Sequence, residues 1–171
     1  DPDSIVPGMS LWGWMGEGEC QWLHERAKEM NSIVEIGSLL GRSAMALLSG
    51  CRGTVYCIDP WNDNGDNGWS MFISNVGHFT NLVPIRGFSP SCGSLVHGDI
   101  DMVFIDGDHN YESCNADLEF WFPRTKILIC GHDYTHPTYP GVKASVDDFF
   151  GKRNMSVEVA DGTSIWHVRI P

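Results

Sequence analysis

Ser32-Ile-Val-Glu-Ile-Gly-Ser-Leu-Leu-Gly-Arg-Ser-Ala-Met-Ala-Leu-Leu48 decides the fold of this chain. Ile33, Val34 and Ile36 are a short apolar run that predicts a buried strand, ending in the acidic Glu35 and in Gly37. Gly37 to Gly41 predicts a tight turn, and Ser43 to Leu48 has the composition of a helix opening straight after it. A strand, a glycine turn and a helix N-terminus together make a crevice at the carboxyl end of a parallel sheet.

The same grammar recurs along the chain. Thr54 to Asp59, Leu82 to Arg86, Asp101 to Asp106 and Lys126 to Cys130 read as further strands, and Pro84 suits a sheet edge. Helices are expected over Glu17 to Met30, near Trp69 to Val76, over Glu112 to Phe122 and over Val142 to Phe150. Ser156 to Ala160 and Thr163 to Ile170 flank Asp161-Gly162, a strong hairpin signal that requires one antiparallel strand. Residues 1–15, with Pro2, Pro7, Gly8 and Gly13, predict an irregular N-terminal arm, and residues 62–68 a polar loop. The expected fold is α/β, a doubly wound, mostly parallel sheet with right-handed crossovers, within one domain over residues 1–171.

At 171 residues the chain can build a real core but has little room for a separate substrate domain. No apolar run reaches membrane-spanning length, and no leader is visible, although the chain starts at Asp1 and a removed leader stays open. The six cysteines form no C-x-x-C pair, and Cys57 and Cys130 fall inside strand-like runs. Buried thiols in a reducing cytoplasm fit this better than a disulfide framework. The net charge of −11 argues against nucleic acid or an anionic membrane as the main partner. A small cationic or zwitterionic ligand is compatible with it, as is a homo-oligomer.

Glu35, Asp59, Asp106 and Asp133 all fall at or just beyond strand ends, so a parallel sheet brings four carboxylates to one edge. Asp and Asn also favour the turns after strands on conformational grounds alone. A dinucleotide needs close backbone approach through G-x-G-x-x-G. The turn Gly37-Ser-Leu-Leu-Gly41 lacks the middle glycine, and Glu35 would repel phosphate. A ligand with an ammonium group and a ribose, but no phosphate, suits these tips better. Asp59 can accept from both hydroxyls of a ribose, because a carboxylate offers two acceptor oxygens. S-adenosylmethionine has these features, with a sulfonium drawn to acidic and aromatic surroundings.

Four motifs then resemble class I S-adenosylmethionine-dependent methyltransferases. They are Val34-Glu-Ile-Gly-Ser-Leu-Leu-Gly-Arg-Ser43, Tyr56-Cys-Ile-Asp-Pro-Trp61, Phe104-Ile-Asp-Gly-Asp-His-Asn-Tyr111 and Gly131-His-Asp-Tyr134 with Pro140-Gly-Val142. They are most similar to the small subgroup related to cephalosporin hydroxylase-like and macrolide-sugar O-methyltransferase proteins. The resemblance spans about residues 15–150 in the right order. It implies a Rossmann-like seven-stranded sheet with a final antiparallel strand. It also implies that Glu35, Gly37, Ser38 and Gly41, with Ser43 opening the helix, surround the methionine part of the cofactor, and that Asp59 and Asp106 contribute to its site. Trp61 is expected beside the adenosine or in ordinary core packing, and Phe88 and Ser89 beside the adenine, with Ser89 equally a helix N-cap.

Methyl transfer is a direct displacement, so alignment and desolvation carry most of it. His109, after the fourth strand, is the candidate general base for a hydroxyl acceptor, with Asp106 beside it; alternatively His109 braces its loop. In related O-methyltransferases, carboxylates matching Asp106 and Asp133 bind magnesium. His132 stands where the metal-dependent sugar methyltransferases carry another acid, which weakens that site or favours a softer ion held by His132 or His136. Trp12, Trp14, Met15, Tyr134 and Tyr139 are candidates for a small-molecule acceptor pocket or an apolar lid. Two other function classes stay open: a cofactor-binding interaction domain without catalysis, and a nicotinamide-dependent dehydrogenase.

Overall fold

The computed structural model describes residues 6–62 and 67–171. Part of the N-terminal arm, with Pro2, and most of the loop expected over 62–68 lie outside the described residues. The chain runs α1 (Glu17–Ala27), β1 (Ser32–Ile36), α2 (Arg42–Gly50), β2 (Thr54–Asp59), α3 (Asn67–Val76) and β3 (Leu82–Arg86). It continues through β4 (Ile100–Ile105), α4 (Tyr111–Trp121), β5 (Thr125–Gly131), α5 (Pro140–Gly151), β6 (Glu158–Val159) and β7 (Trp166–Arg169).

Among the described residues, seven strands form one sheet in the order β3-β2-β1-β4-β5-β7-β6. The first five strands in that order are parallel, and β7 runs antiparallel between β5 and β6. The chain winds outward from β1 to β3 and then returns to place β4 on the other side of β1. That reversal leaves a crevice beyond the carboxyl ends of β1 and β4. Pro84 lies in β3, the edge strand, where a missing backbone donor costs least.

The two faces of the sheet follow from alternation along each strand. Ile33, Val55, Cys57, Met102, Phe104, Leu128 and Cys130 pack with α1, α2 and α3 through Leu23, Ala27, Leu47, Phe72 and Val76. Val34, Ile36, Ile58, Val103, Ile105 and Ile129 pack with α4 and α5 through Leu118, Trp121, Val146, Phe149 and Phe150. Full burial of each such side chain contributes roughly 1.5–3 kcal/mol. The fold is the seven-stranded, mostly parallel, doubly wound sheet that the motifs imply.

The terminal hairpin is looser than the Asp161-Gly162 signal predicts. Its strands are short, and residues 160–165 form a wider turn closed by Ala160 N–H to the Ile165 carbonyl (2.9 Å). Arg42, at the start of α2, ties down the N-terminal arm by donating to the Leu11 and Met15 carbonyls, each at 2.7 Å.

Candidate active site

The turn after β1 is held by backbone geometry that its residues make possible. Gly37 has φ +87°, and a Cβ there would lie 1.9 Å from the Asp106 carbonyl, so only glycine lets the tips of β1 and β4 come together. Gly41, with φ +103°, forms the N-cap of α2. Between them Leu39 also adopts positive φ, +47°, and the tip of β2 fixes it there. Its N–H donates to Asp59 Oδ2 at 2.9 Å, and its carbonyl accepts from the Trp61 indole at 2.7 Å. Asp59 Oδ1 accepts from the Trp61 N–H at 2.6 Å. Asp59 thus locks the first two strand tips to each other.

A cleft of about 890 Å³ opens at these tips. It takes in Gly37, Asp59, Phe88, Ser89, Asp106, His109, His132 and Asp133, so eight of the residues singled out in the sequence share one surface. Its carboxyl groups are those of Glu19, Asp59, Asp106, Asp108, Asp117 and Asp133, and among the described residues no lysine or arginine lines it.

Several expected residues lie elsewhere. Glu35 is fully buried beneath the turn and does not line the cleft. It shares the strand face of Ile33, and so points toward α1 and α2. Neither of its oxygens makes a hydrogen bond. Burial pushes its pKa up to about 7, with the nearby Ser38 and Ser43 hydroxyls offsetting part of the rise. Ser38 and Ser43 are themselves buried, and like Gly41 they support the turn from below rather than lining the cleft. Of its two expected places, Trp61 takes the one in core packing and does not line the cleft. It is 2 % exposed and packs against Trp69 and Phe72 with ring centroids 4.9 and 4.6 Å away. A positive φ of 50° turns it inward. Ser89 lines the cleft but caps no helix: its hydroxyl bonds Asp117 and accepts from the Trp121 indole at 2.8 Å.

Beyond β4 and β5 the titratable groups are tightly paired. His109 Nε2 lies 2.8 Å from Asp133 Oδ2, and its ring stacks on Tyr139 at 3.9 Å. The Asp133 hydrogen bond raises the His109 pKa against the opposing effect of burial. Burial works against ionised Asp133, yet His109 and His132 together hold it well below the usual carboxylate range. Burial raises Asp106 despite its pairing with His132. His132 Nε2 is 2.7 Å from Glu19 Oε2, and its Nδ1 is 3.3 Å from Asp133 Oδ1 and 3.6 Å from Asp106 Oδ1. Burial alone would lower the His132 pKa, but these carboxylates push it up to about 12.

Asp106, His109 and Asp133 each bring one ligand atom within 4.8 Å of the others, the dimension of a cation site. His132 is not one of the three, and the pairing of both histidines with carboxylates competes with a metal. A metal-bound histidine needs a nitrogen lone pair, whereas both nitrogens of His132 face carboxylates. His109 Nε2 is already engaged with Asp133. In this arrangement His132 is paired with carboxylates rather than presented as a ligand.

The acceptor candidates also divide. Trp14, 79 % exposed, and Tyr139 line the cleft; Met15 is buried, and Tyr134 bonds Asp147 on α5 instead. Glu19 and Asp117 line the cleft without having been expected there, and His136, a candidate ligand in the sequence, lines it as well. Burial raises Asp117 to about 6, partly offset by Ser89.

A model of a methyltransferase domain matches residues 34–134, more than half of the chain. The chain belongs to this methyltransferase-domain family. No curated protein matches the sequence at comparable significance. Solved structures share the methyltransferase fold. An O-methyltransferase from Bacillus cereus bound to SAH superposes with a TM-score of 0.71 at 16% identity, covering 92% of this chain and 83% of that one. TomG, an O-methyltransferase of tomaymycin synthesis from Streptomyces achromogenes bound to SAM, gives 0.67 at 15%, covering 92% and 82%. CalS11, a TDP-rhamnose 3′-O-methyltransferase of calicheamicin biosynthesis, gives 0.67 at 15%, covering 88% and 76%.

Proposed function

We propose that the protein is an S-adenosylmethionine-dependent methyltransferase acting on a hydroxyl group of a small molecule, within one catalytic domain. The observation that carries this reading is the cleft at the reversal of strand order, lined by six carboxyl groups and, among the described residues, by no lysine or arginine. A dinucleotide's pyrophosphate finds only His109 and His132 there, both already paired with carboxylates, whereas a sulfonium and an ammonium find an acidic wall. About 890 Å³ is ample for a nucleoside-sized ligand.

Asp59 is assigned to the ribose hydroxyls and Phe88 to the adenine face. Glu35 acts from below: its buried carboxyl group, close to the Ser38 and Ser43 hydroxyls, favours a positive group above the turn, where the methionine ammonium would sit. The bound cofactor supplies an electrophilic methyl group on sulfur. His109, oriented by Asp133, would take the proton of the acceptor hydroxyl as its oxygen bonds to the methyl carbon and the carbon–sulfur bond breaks, with S-adenosylhomocysteine leaving. Trp14 and Tyr139 flank the acceptor. The acidic wall supports a neutral or cationic acceptor rather than a phosphorylated one or nucleic acid, and six free thiols support a cytoplasmic setting.

Incubation of an acceptor panel with methyl-labelled S-adenosylmethionine, read by mass spectrometry, tests this. Mass gain of one methyl on a hydroxyl compound is expected. Cofactor binding without transfer to any acceptor would point to a non-catalytic domain.

A further inference from the structure

We propose that Glu19 is a positioning residue that holds the His132 ring in the seat between Asp106 and Asp133, so that this seat excludes a divalent cation. The ring is fixed from both ends. Its Nε2 donates to Glu19 Oε2 at 2.7 Å, and its Nδ1 lies 3.3 and 3.6 Å from Asp133 and Asp106. Each ring nitrogen faces a carboxyl group, Nε2 toward Glu19 and Nδ1 toward Asp133 and Asp106, so the ring itself fills the seat. A cation approaching Asp106 and Asp133 from this side meets the ring first.

Glu19 is itself immobilised, which makes the seat rigid rather than incidental. Its Oε1 accepts from the Gly16 N–H at 3.1 Å, and its Oε2 accepts from the Ser164 N–H at 3.1 Å. It therefore joins the start of α1, the turn before β7 and the tip of β5. The His132 N–H donates to the Ile105 carbonyl at 3.1 Å, fixing the backbone from which the ring projects. Both partners are largely buried, with side chains 13% and 9% exposed, so water screens the pair little.

Within the methyltransferase reading above, on which this one consequence rests, the ring balances the carboxylate charge that a metal would otherwise balance. Proton removal then falls to His109, and turnover is unchanged by EDTA. Exclusion of the cation does not depend on that reading.

The test is titration of wild type, His132→Asp and Glu19→Gln with MnCl₂, followed by calorimetry and by Mn²⁺ paramagnetic resonance. Thermal melts establish that each variant is folded. His132→Asp is expected to bind Mn²⁺ at least tenfold more tightly than wild type. Glu19→Gln, which keeps the shape and gives up the charge, is expected to gain at least threefold. Wild type binding Mn²⁺ as tightly as His132→Asp overturns the proposal, as does a folded His132→Asp that gains nothing. If His132→Asp does not fold, Glu19→Gln decides: a gain supports the proposal and no gain overturns it. Failure of wild type to bind S-adenosylhomocysteine would count against the methyltransferase reading and leave the Mn²⁺ comparison intact.

Discussion

His109 Nε2 sits 2.8 Å from Asp133 Oδ2, a histidine–carboxylate pair at the mouth of the cleft. The pair raises the His109 pKa above its ordinary 6.5. A general base works unprotonated, so turnover should rise with pH through a value above 6.5. Asp133→Asn should move that rise to lower pH, because the charge that favours imidazolium is gone. Initial rates from pH 5.5 to 9 with an active acceptor check both statements. A flat profile would demote His109 to bracing its loop.

His109→Ala should cost roughly 10²–10⁴ in turnover, the usual scale of general-base catalysis. Its affinity for S-adenosylhomocysteine should stay within about twofold of wild type. Equal losses in both would assign His109 to cofactor binding instead.

Glu35 bears on stability. Its folded pKa of about 7 exceeds the ordinary 4.5, so the folded protein keeps a proton that the unfolded chain loses first. The favourable contribution is complete below 4.5 and is lost as pH rises through 7. Glu35→Gln mimics the protonated form. It should match wild type near pH 4.5 and exceed it by roughly 3 kcal/mol at pH 9, at about 1.4 kcal/mol per unit. Urea unfolding at the two pH values measures the difference; an equal effect at both would mean that Glu35 is ionised or neutral throughout.

Trp61 should behave as a core residue. Trp61→Ala leaves a cavity beside Trp69 and Phe72 and removes the indole bond to the Leu39 carbonyl. A loss of about 3–5 kcal/mol in unfolding free energy is expected. An unchanged melting temperature with weakened cofactor binding would return the ring to the cofactor's side.

These outcomes trace which parts of the site a sequence can carry. Asp59, Asp106 and Asp133 were legible because strands end in polar turns and a parallel sheet gathers those ends at one edge. The burial of Glu35 was also in the sequence, since it shares parity with Ile33 along a period of two. For Trp61 the sequence left both readings open, because a residue beside Pro60 and a polar loop can face either way, and its positive φ accompanies the inward one. Glu19 and Asp117 lie inside helices, with no motif around them. Their place in the cleft follows from how α1 and α4 pack, with Glu19 reaching across 113 residues to His132.

The central claim is the cofactor, and Asp59 gives its most direct measurement. Calorimetric titration with S-adenosylhomocysteine should show one site in wild type and a loss of about 1.5–3 kcal/mol in Asp59→Ala, the scale of hydrogen bonds to a charged group. Asp59→Asn, which keeps an acceptor for the Leu39 or Trp61 N–H, separates loss of the ribose contact from loosening of the turn and should fall between the two. Binding of NAD in place of S-adenosylhomocysteine, or binding indifferent to Asp59, would contradict the account.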